Sequence, residues 1–136
     1  MTDTLTPAQR RRTMQAVKGR DTKPEWALRR RLHALGFRYR LHDPKLPGRP
    51  DLVLPRWRTA IFVHGCFWHG HDCPRGARRP ATNRAYWEAK IARNQARDAA
   101  AEERLRTMGY RVLTVWECEL KDADAAAARV AAAVTG

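Results

Sequence analysis

The sequence predicts an α/β fold: a mixed central β-sheet flanked by helices. Two short apolar runs, DLVL (51–54) and TAIFV (59–63), are separated only by the turn PRWR. A third, YRVLTVWE (110–117), follows a long polar segment with a helix-start signal at one end and a glycine at the other. The resulting order, helix, three strands, helix, strand, helix, implies a mixed sheet with helices packed on it. At 136 residues the chain is the usual size of one domain, and no second domain is expected.

Taken in order, Thr6-Pro7 is a capping hydroxyl followed by a proline tolerated in a first turn, so Pro7 to Val17 reads as a short basic helix. Asp21-Thr22 and Pro24 repeat the signal for a helix from about Pro24 to Leu35. Trp26, Leu28, Leu32 and Leu35 supply its apolar spacing, Arg29, Arg30 and Arg31 its other face, and Gly36 its end. FRYRL (37–41) alternates as a half-buried strand does, and HDPKLPGRP is a loop. The two apolar runs then form a hairpin. Thr82 can cap a long helix reaching about Met108, closed by Gly109. After the last strand, Asp122 can start an alanine-rich helix over 121–136.

The formal charge of +13 points to a polyanionic partner, because lysine and arginine displace the counterions condensed on nucleic acid. The excess is uneven: residues 1–40 hold 11 Lys/Arg against 3 Asp/Glu, whereas residues 81–136 hold 9 against 8. The amino-terminal third is therefore the better candidate for backbone contact, with residues 1–20 expected as its basic DNA-contacting helix. No run approaches the roughly 18 apolar residues of a membrane span. The start MTDTLTPAQRRR lacks a secretory signal, so a reducing cytoplasm without disulfides is expected.

Chemistry concentrates in FVHGCFWHGHDC (62–73), at a strand end. Cys66, His71 and Cys73 lie close together and Cys118 follows the last strand; three cysteines and one histidine match the four-ligand count of a structural zinc site. Unrelated buried thiols would give the same count. One such site needs a single histidine, and sequence alone does not rank His64, His69 and His71. The two spare imidazoles would lie beside Asp51 if the hairpin forms. Imidazole can take a proton from water and carboxylate suits Mg2+, the parts of metal-assisted phosphodiester hydrolysis.

Pro50-Asp51 resembles the first half of the PD-(D/E)xK nuclease signature, but Ile61-Phe62-Val63-His64 lacks the acid and lysine of the second half. Phe67 and Trp68, held between candidate ligands, could insert between base pairs; core packing is the alternative. Lys90 and Asn94, four apart on the long helix, could both donate to base edges, as could any solvated pair at that spacing.

Together, RDTKPE, LPGRPDLVL, IFVHGCFWHGHDC, PAT...YWEAKIARN and GYRVLTVWECEL resemble the very-short-patch-repair (Vsr) DNA mismatch endonucleases, over about residues 8–120. The resemblance implies a restriction-endonuclease-like fold. It also implies a Mg2+-dependent enzyme that nicks double-stranded DNA 5′ to the thymine of T:G mismatches left by 5-methylcytosine deamination. It implies that Cys66, His71, Cys73 and Cys118 bind structural zinc, that Asp51 and the backbone carbonyl of Val63 bind Mg2+, and that Glu25 orients metal-bound water. His69 is implied as general base and His64 as assisting at the phosphate. Phe67, Trp68, Trp87 and Met14 match residues entering the duplex, and Lys90 and Asn94 match readers of the mismatched pair. A monomer in the bacterial cytoplasm and nucleoid, followed by downstream mismatch-repair proteins, would fit this activity.

Val63 stands where the family pattern has threonine. A carbonyl ligand would be unaffected by that change, whereas a functional hydroxyl would be lost. Two rival readings are a zinc-stabilised DNA-binding module without catalysis, which leaves Asp51 and the spare histidines idle, and a nuclease of the same fold for a fully paired site.

Overall fold

The computed structural model describes residues 22–136. The expected helix at 7–17, the basic residues 1–20 and Met14 lie outside the described residues. Helix α1 spans Lys23–Ala34: the Thr22 hydroxyl accepts from the Glu25 N–H at 3.4 Å and a proline occupies its first turn. It ends as expected at Leu35 and Gly36, where φ is +96° and a Cβ would be strained.

The buried face of α1 corrects the expected stripe. Glu25, Leu28, Arg29 and Leu32 are buried, whereas Trp26 and Leu35 are 48% and 56% exposed. Spacings of three, four and seven residues do define one helical face, but half of that face is charged. Arg29, expected outside with Arg30 and Arg31, donates from Nη2 to Glu25 Oε2 at 2.8 Å, and this i,i+4 pair offsets its own burial.

Strand β1 is only Arg40–Leu41, shorter than the expected 37–41. Its partner β2, Leu52–Leu54, offers few ladder positions, and Phe37 is instead drawn into the core as its N–H closes the end of α1 on the Leu32 carbonyl. A 3₁₀ turn at Pro55–Trp57, with Arg58 left-handed at φ +46°, leads to β3, Thr59–His64. After the short helix α2, Pro74–Ala77, helix α3 spans Arg84–Thr107 and crosses to β4, Arg111–Trp116. The cap of α3 is Asn83, not Thr82. Asn83 sits at φ +58°, a conformation asparagine tolerates and threonine, being β-branched, does not. A 3₁₀ segment over Glu117–Asp122 precedes α4, Ala123–Thr135, whose first turn is capped by Asp122.

The sheet order is β1-β2-β3-β4, with the first two pairings antiparallel and β3-β4 parallel. This is the expected mixed sheet. Leu28 and Leu32 of α1 and Ala126, Ala127, Val130 and Val134 of α4 cover one face, meeting Leu52, Leu54, Ile61 and Val115. Leu105 of α3 meets Val53, Ala60 and Phe62 on the other. Alternation along β3 therefore sends His64 to the side of Phe62 and α3, and Val63 to the side of α1 and α4. No helix among the described residues is long and apolar enough to cross a membrane.

Candidate active site and metal centre

Parallel pairing sets up the first cluster. His64 of β3 is level with Trp116 of β4, so Cys66 and Cys118, two residues beyond each, emerge side by side. The Cys118 N–H donates to Cys66 Sγ at 3.4 Å. The chain after β3 coils tightly, with the N–H groups of His69 and His71 donating to the carbonyls of Gly65 and Cys66. This returns His71 Nδ1 to 3.5 Å from Cys118 Sγ. Cys73 caps α2, accepting from the Gly76 N–H at 3.3 Å, and a Cβ at Gly76 would collide with the His71 backbone. One ligating atom from each of Cys66, His71, Cys73 and Cys118 lies within 4.8 Å of all the others. Burial pushes the Cys66 thiol up to about 12, and the Gly76 N–H holds Cys73 down to about 7. The cysteines form no disulfide. A closed set of three sulfurs and one imidazole nitrogen suits a tetrahedral metal ion.

The other two histidines stand apart from the thiols. The His64 and His69 rings stack, centroids 3.8 Å apart and planes 2° from parallel. His69 Nδ1 lies 2.5 Å from Oδ2 of Asp98, on α3. With Nδ1 engaged by a carboxylate, Nε2 is the nitrogen of His69 that can accept a proton from water. His64 is 6% exposed, and burial, with the neighbouring His69 second, pulls its pKa down to about 4. Near neutral pH His64 is thus a neutral imidazole. Both rings line an open groove of about 340 Å³ with Gln95, Asp98 and Trp116.

Asp51 precedes β2, and its Oδ2 accepts from the Val63 N–H at 2.6 Å. Burial raises its carboxyl from 3.8 to about 6, against the opposing pull of that N–H and of Arg29 and His69. The Val63 side chain packs on the apolar core. Glu25 is brought to the same region from α1, and His42 joins them: one ligating atom each from Glu25, His42 and Asp51 falls within 4.8 Å of the others.

Phe67, Trp68 and Trp87 form a mutual edge-to-face cluster, with centroids 5.3 to 5.7 Å apart, and Trp68 is 43% exposed. Lys90 Nζ lies 5.9 Å from the Trp68 ring, and Asn94 Nδ2 donates to the Trp68 carbonyl at 2.9 Å. Both expected base readers thus also contact the aromatic loop from α3. Gln95 adds a bond to the His69 carbonyl, and Gly70, at φ +61°, has no room for a Cβ between Gln95 and Ile91.

Sequence reasoning did not single out Asp98, His42 or Arg29. Asp98 could have been found by extending the Lys90–Asn94 spacing one more turn along the same helix face. His42 could have been found from the hairpin register, since its N–H donates to the Asp51 carbonyl across the β1-β2 end.

Comparison with known proteins identifies the family. The family described as DNA mismatch endonuclease Vsr matches residues 2–75. The type II nicking enzyme V.XorIIP of Xanthomonas oryzae pv. oryzae is 50% identical over 130 residues, 96% of this chain and 95% of the relative. The type II nicking enzyme V.NaeI of Lentzea aerocolonigenes is 46% identical, covering 88% of this chain and 74% of its own length. The DNA mismatch endonuclease Vsr of Escherichia coli is 44% identical over 121 residues, 89% of this chain and 77% of the relative. On the strength of these matches, the chain belongs to the Vsr family of DNA mismatch endonucleases.

Proposed function

We propose that this protein nicks one strand of double-stranded DNA on the 5′ side of the thymine in a T:G mismatch, by Mg2+-assisted hydrolysis in a restriction-endonuclease-like domain. The single observation that carries the reading is the partition of three histidines: His71 stands among the thiols, whereas His64 and His69 stack beside Asp98. A metal-stabilised binding module needs the first group only. The second gives an imidazole oriented for proton transfer.

Cys66, His71, Cys73 and Cys118 would hold Zn2+, joining the loop after β3 to the end of β4. Asp51, with the Val63 carbonyl, would hold Mg2+, and their oxygen donors fit a hard cation. Bound there, Mg2+ would polarise the scissile phosphate and offset charge on the departing 3′ oxygen. Glu25 would orient water, His69 would take its proton at Nε2, and Asp98 would hold the ring and stabilise the imidazolium. His64, neutral and stacked on His69, would act at the phosphate as a hydrogen-bond donor. Phe67, Trp68 and Trp87, joined by Met14, would wedge into the duplex, a deformation that costs less at a mismatch than at a paired step. Lys90 and Asn94 would reach the mismatched bases. The chain would act as a single domain over 1–136, as a monomer in the bacterial cytoplasm, with 1–20 contacting DNA and mismatch-repair proteins acting after the nick.

The test uses labelled duplexes identical except for one T:G or C:G pair, with Mg2+ or with EDTA. A nick 5′ to the thymine only with T:G and Mg2+ is expected. Equal cutting of C:G would identify a nuclease for paired sites, and binding without cutting a non-catalytic module. Asp98→Asn should slow nicking by about 10²-fold or more at unchanged zinc content, because the ring loses the charge that holds its tautomer. A rate equal to wild type would remove Asp98 from the reaction.

A further inference from the structure

Arg29 and His42 have no part in the reaction as proposed above, yet from separate elements they pack against its two carboxylates, Arg29 on Glu25 and His42 beside both. Arg29, on α1, is 1% exposed, and a single nitrogen, Nη2, faces both Glu25 Oε2 at 2.8 Å and His42 Nε2 at 3.1 Å. His42 lies just beyond β1 and is 12% exposed. Its ring is aimed by a left-handed backbone, φ +47°, that few residues other than glycine adopt, and its N–H is fixed on the Asp51 carbonyl.

The chemistry of these contacts settles the imidazole tautomer. A guanidinium nitrogen has hydrogens to give and no acceptor capacity, so His42 Nε2 must be the acceptor in this pair. Its ring proton therefore sits on Nδ1. Nδ1 is the nitrogen that faces Asp51, 3.8 Å from Oδ1, while Oδ2 of the same carboxylate is held by the Val63 N–H at 2.6 Å. Oδ2 of Asp51 thus accepts a hydrogen bond, and Oδ1 lies beside the protonated edge of His42, beyond direct hydrogen-bond distance.

We infer that Arg29 and His42 are positioning residues for the Asp51 carboxylate: Arg29 sets the His42 tautomer, and the His42 Nδ1–H edge orients Asp51 for its metal ion. This rests on the assignment of Asp51 as a metal ligand. It has a specific corollary, since a nitrogen carrying a proton cannot bind a metal. One nitrogen of His42 lies within 4.8 Å of ligating oxygens of Glu25 and Asp51, but with Nε2 engaged by Arg29 and Nδ1 protonated the ring would serve as an outer partner, and the donor set would stay all oxygen. The buried Arg29 cation pairs with Glu25 and also favours the ionised form of Asp51, so the repulsion between the two carboxylates is reduced before any divalent ion arrives.

The test uses the zinc-loaded full chain and Mn2+ as the probe, without DNA. Nitrogen-15 NMR of the metal-free carboxylate site, with His42 assigned by the signal lost in His42→Gln, should show the Nδ1–H tautomer. An Nε2–H pattern would overturn the inference. With Mn2+ bound, electron spin-echo modulation should show no directly coordinated imidazole nitrogen, and strong coupling that disappears in His42→Gln would make His42 a ligand instead. His42→Leu should weaken Mn2+ binding about 10- to 100-fold, the usual cost of losing an outer partner of a ligand. His42→Gln, whose amide oxygen can accept from Arg29 while its N–H faces Asp51, should recover most of that loss. Equal affinity in all three proteins, or equal loss in both variants, would exclude a positioning role. Because none of these readouts needs DNA, a protein that meets them all yet leaves T:G duplexes intact would sink the proposed activity and not this inference.

Discussion

Zinc content and nicking should separate between two histidines only two residues apart. His69→Ala is expected to keep its zinc and its folded yield while losing about 10³-fold in nicking rate, within the usual contribution of a positioned general base. His71→Ala should lose zinc and folded yield first, and activity as a consequence. The contrast follows from where the coil after β3 sends each ring. His71 returns toward Cys118 and stacks on Trp116, centroids 4.1 Å apart, whereas His69 turns to Asp98 and stacks on His64. His71→Ala leaves three thiols, one of them buried with its pKa pushed to about 12, around a gap in the coordination set. Since structural zinc binding is part of the folding free energy in small metal-stabilised proteins, stability falls with it. Metal analysis of the purified variants and single-turnover nicking on one T:G duplex make the comparison. Zinc lost from His69→Ala and kept in His71→Ala would mean the two roles are exchanged.

How much of this was legible in the sequence depends on whether a feature is local. The element order was readable because each strand is an apolar run bounded by turn residues and each cap is a short-range contact. Thr22, Gly36, Gly109 and Asp122 end or start helices as expected. Where sequence reasoning erred, a tertiary contact outweighed a local preference. Its apolar character points Trp26 inward, but the buried face of α1 contains Glu25 and Arg29, whose pairing is invisible to a hydrophobic pattern. Strand β1 shrank because its partner is three residues long, and Asn83 replaced Thr82 because the backbone there is left-handed. The same division holds at the site. Cysteine and histidine spacing marks the twelve-residue segment, but which imidazole meets which partner depends on the β3-β4 register and on α3 lying across the loop. Asp98, Arg29 and His42 carry no motif of their own, because their positions acquire meaning only from the side chains folded against them.

Asp51→Ala should abolish nicking, a loss of about 10³-fold or more if the metal contributes several kcal/mol to the transition state, while DNA binding persists on the basic surface. Asp51→Asn separates this from a folding defect. Burial raises the Asp51 pKa from 3.8 to about 6, so the metal-free fold favours the protonated carboxyl. A group with a raised folded-state pKa contributes stability that is fully present below its unfolded value and is lost as pH rises through the folded one. Above pH 6, then, the ionised carboxylate is a net burden on the metal-free protein, and Asp51→Asn should unfold at an equal or higher urea concentration than wild type at pH 7. With Asp51 as the proposed ligand, the same shift would set the acid limit of metal uptake. Protons compete for the carboxylate as pH falls through about 6, so Mn2+ affinity should be flat above that value and drop about tenfold per pH unit below it. Measured together by urea titration and Mn2+ spin resonance, a variant that is more stable yet cannot take up metal is the expected result. A less stable Asp51→Asn, or metal uptake unaffected by its loss, would show that the carboxylate serves the fold and that the ion is held elsewhere.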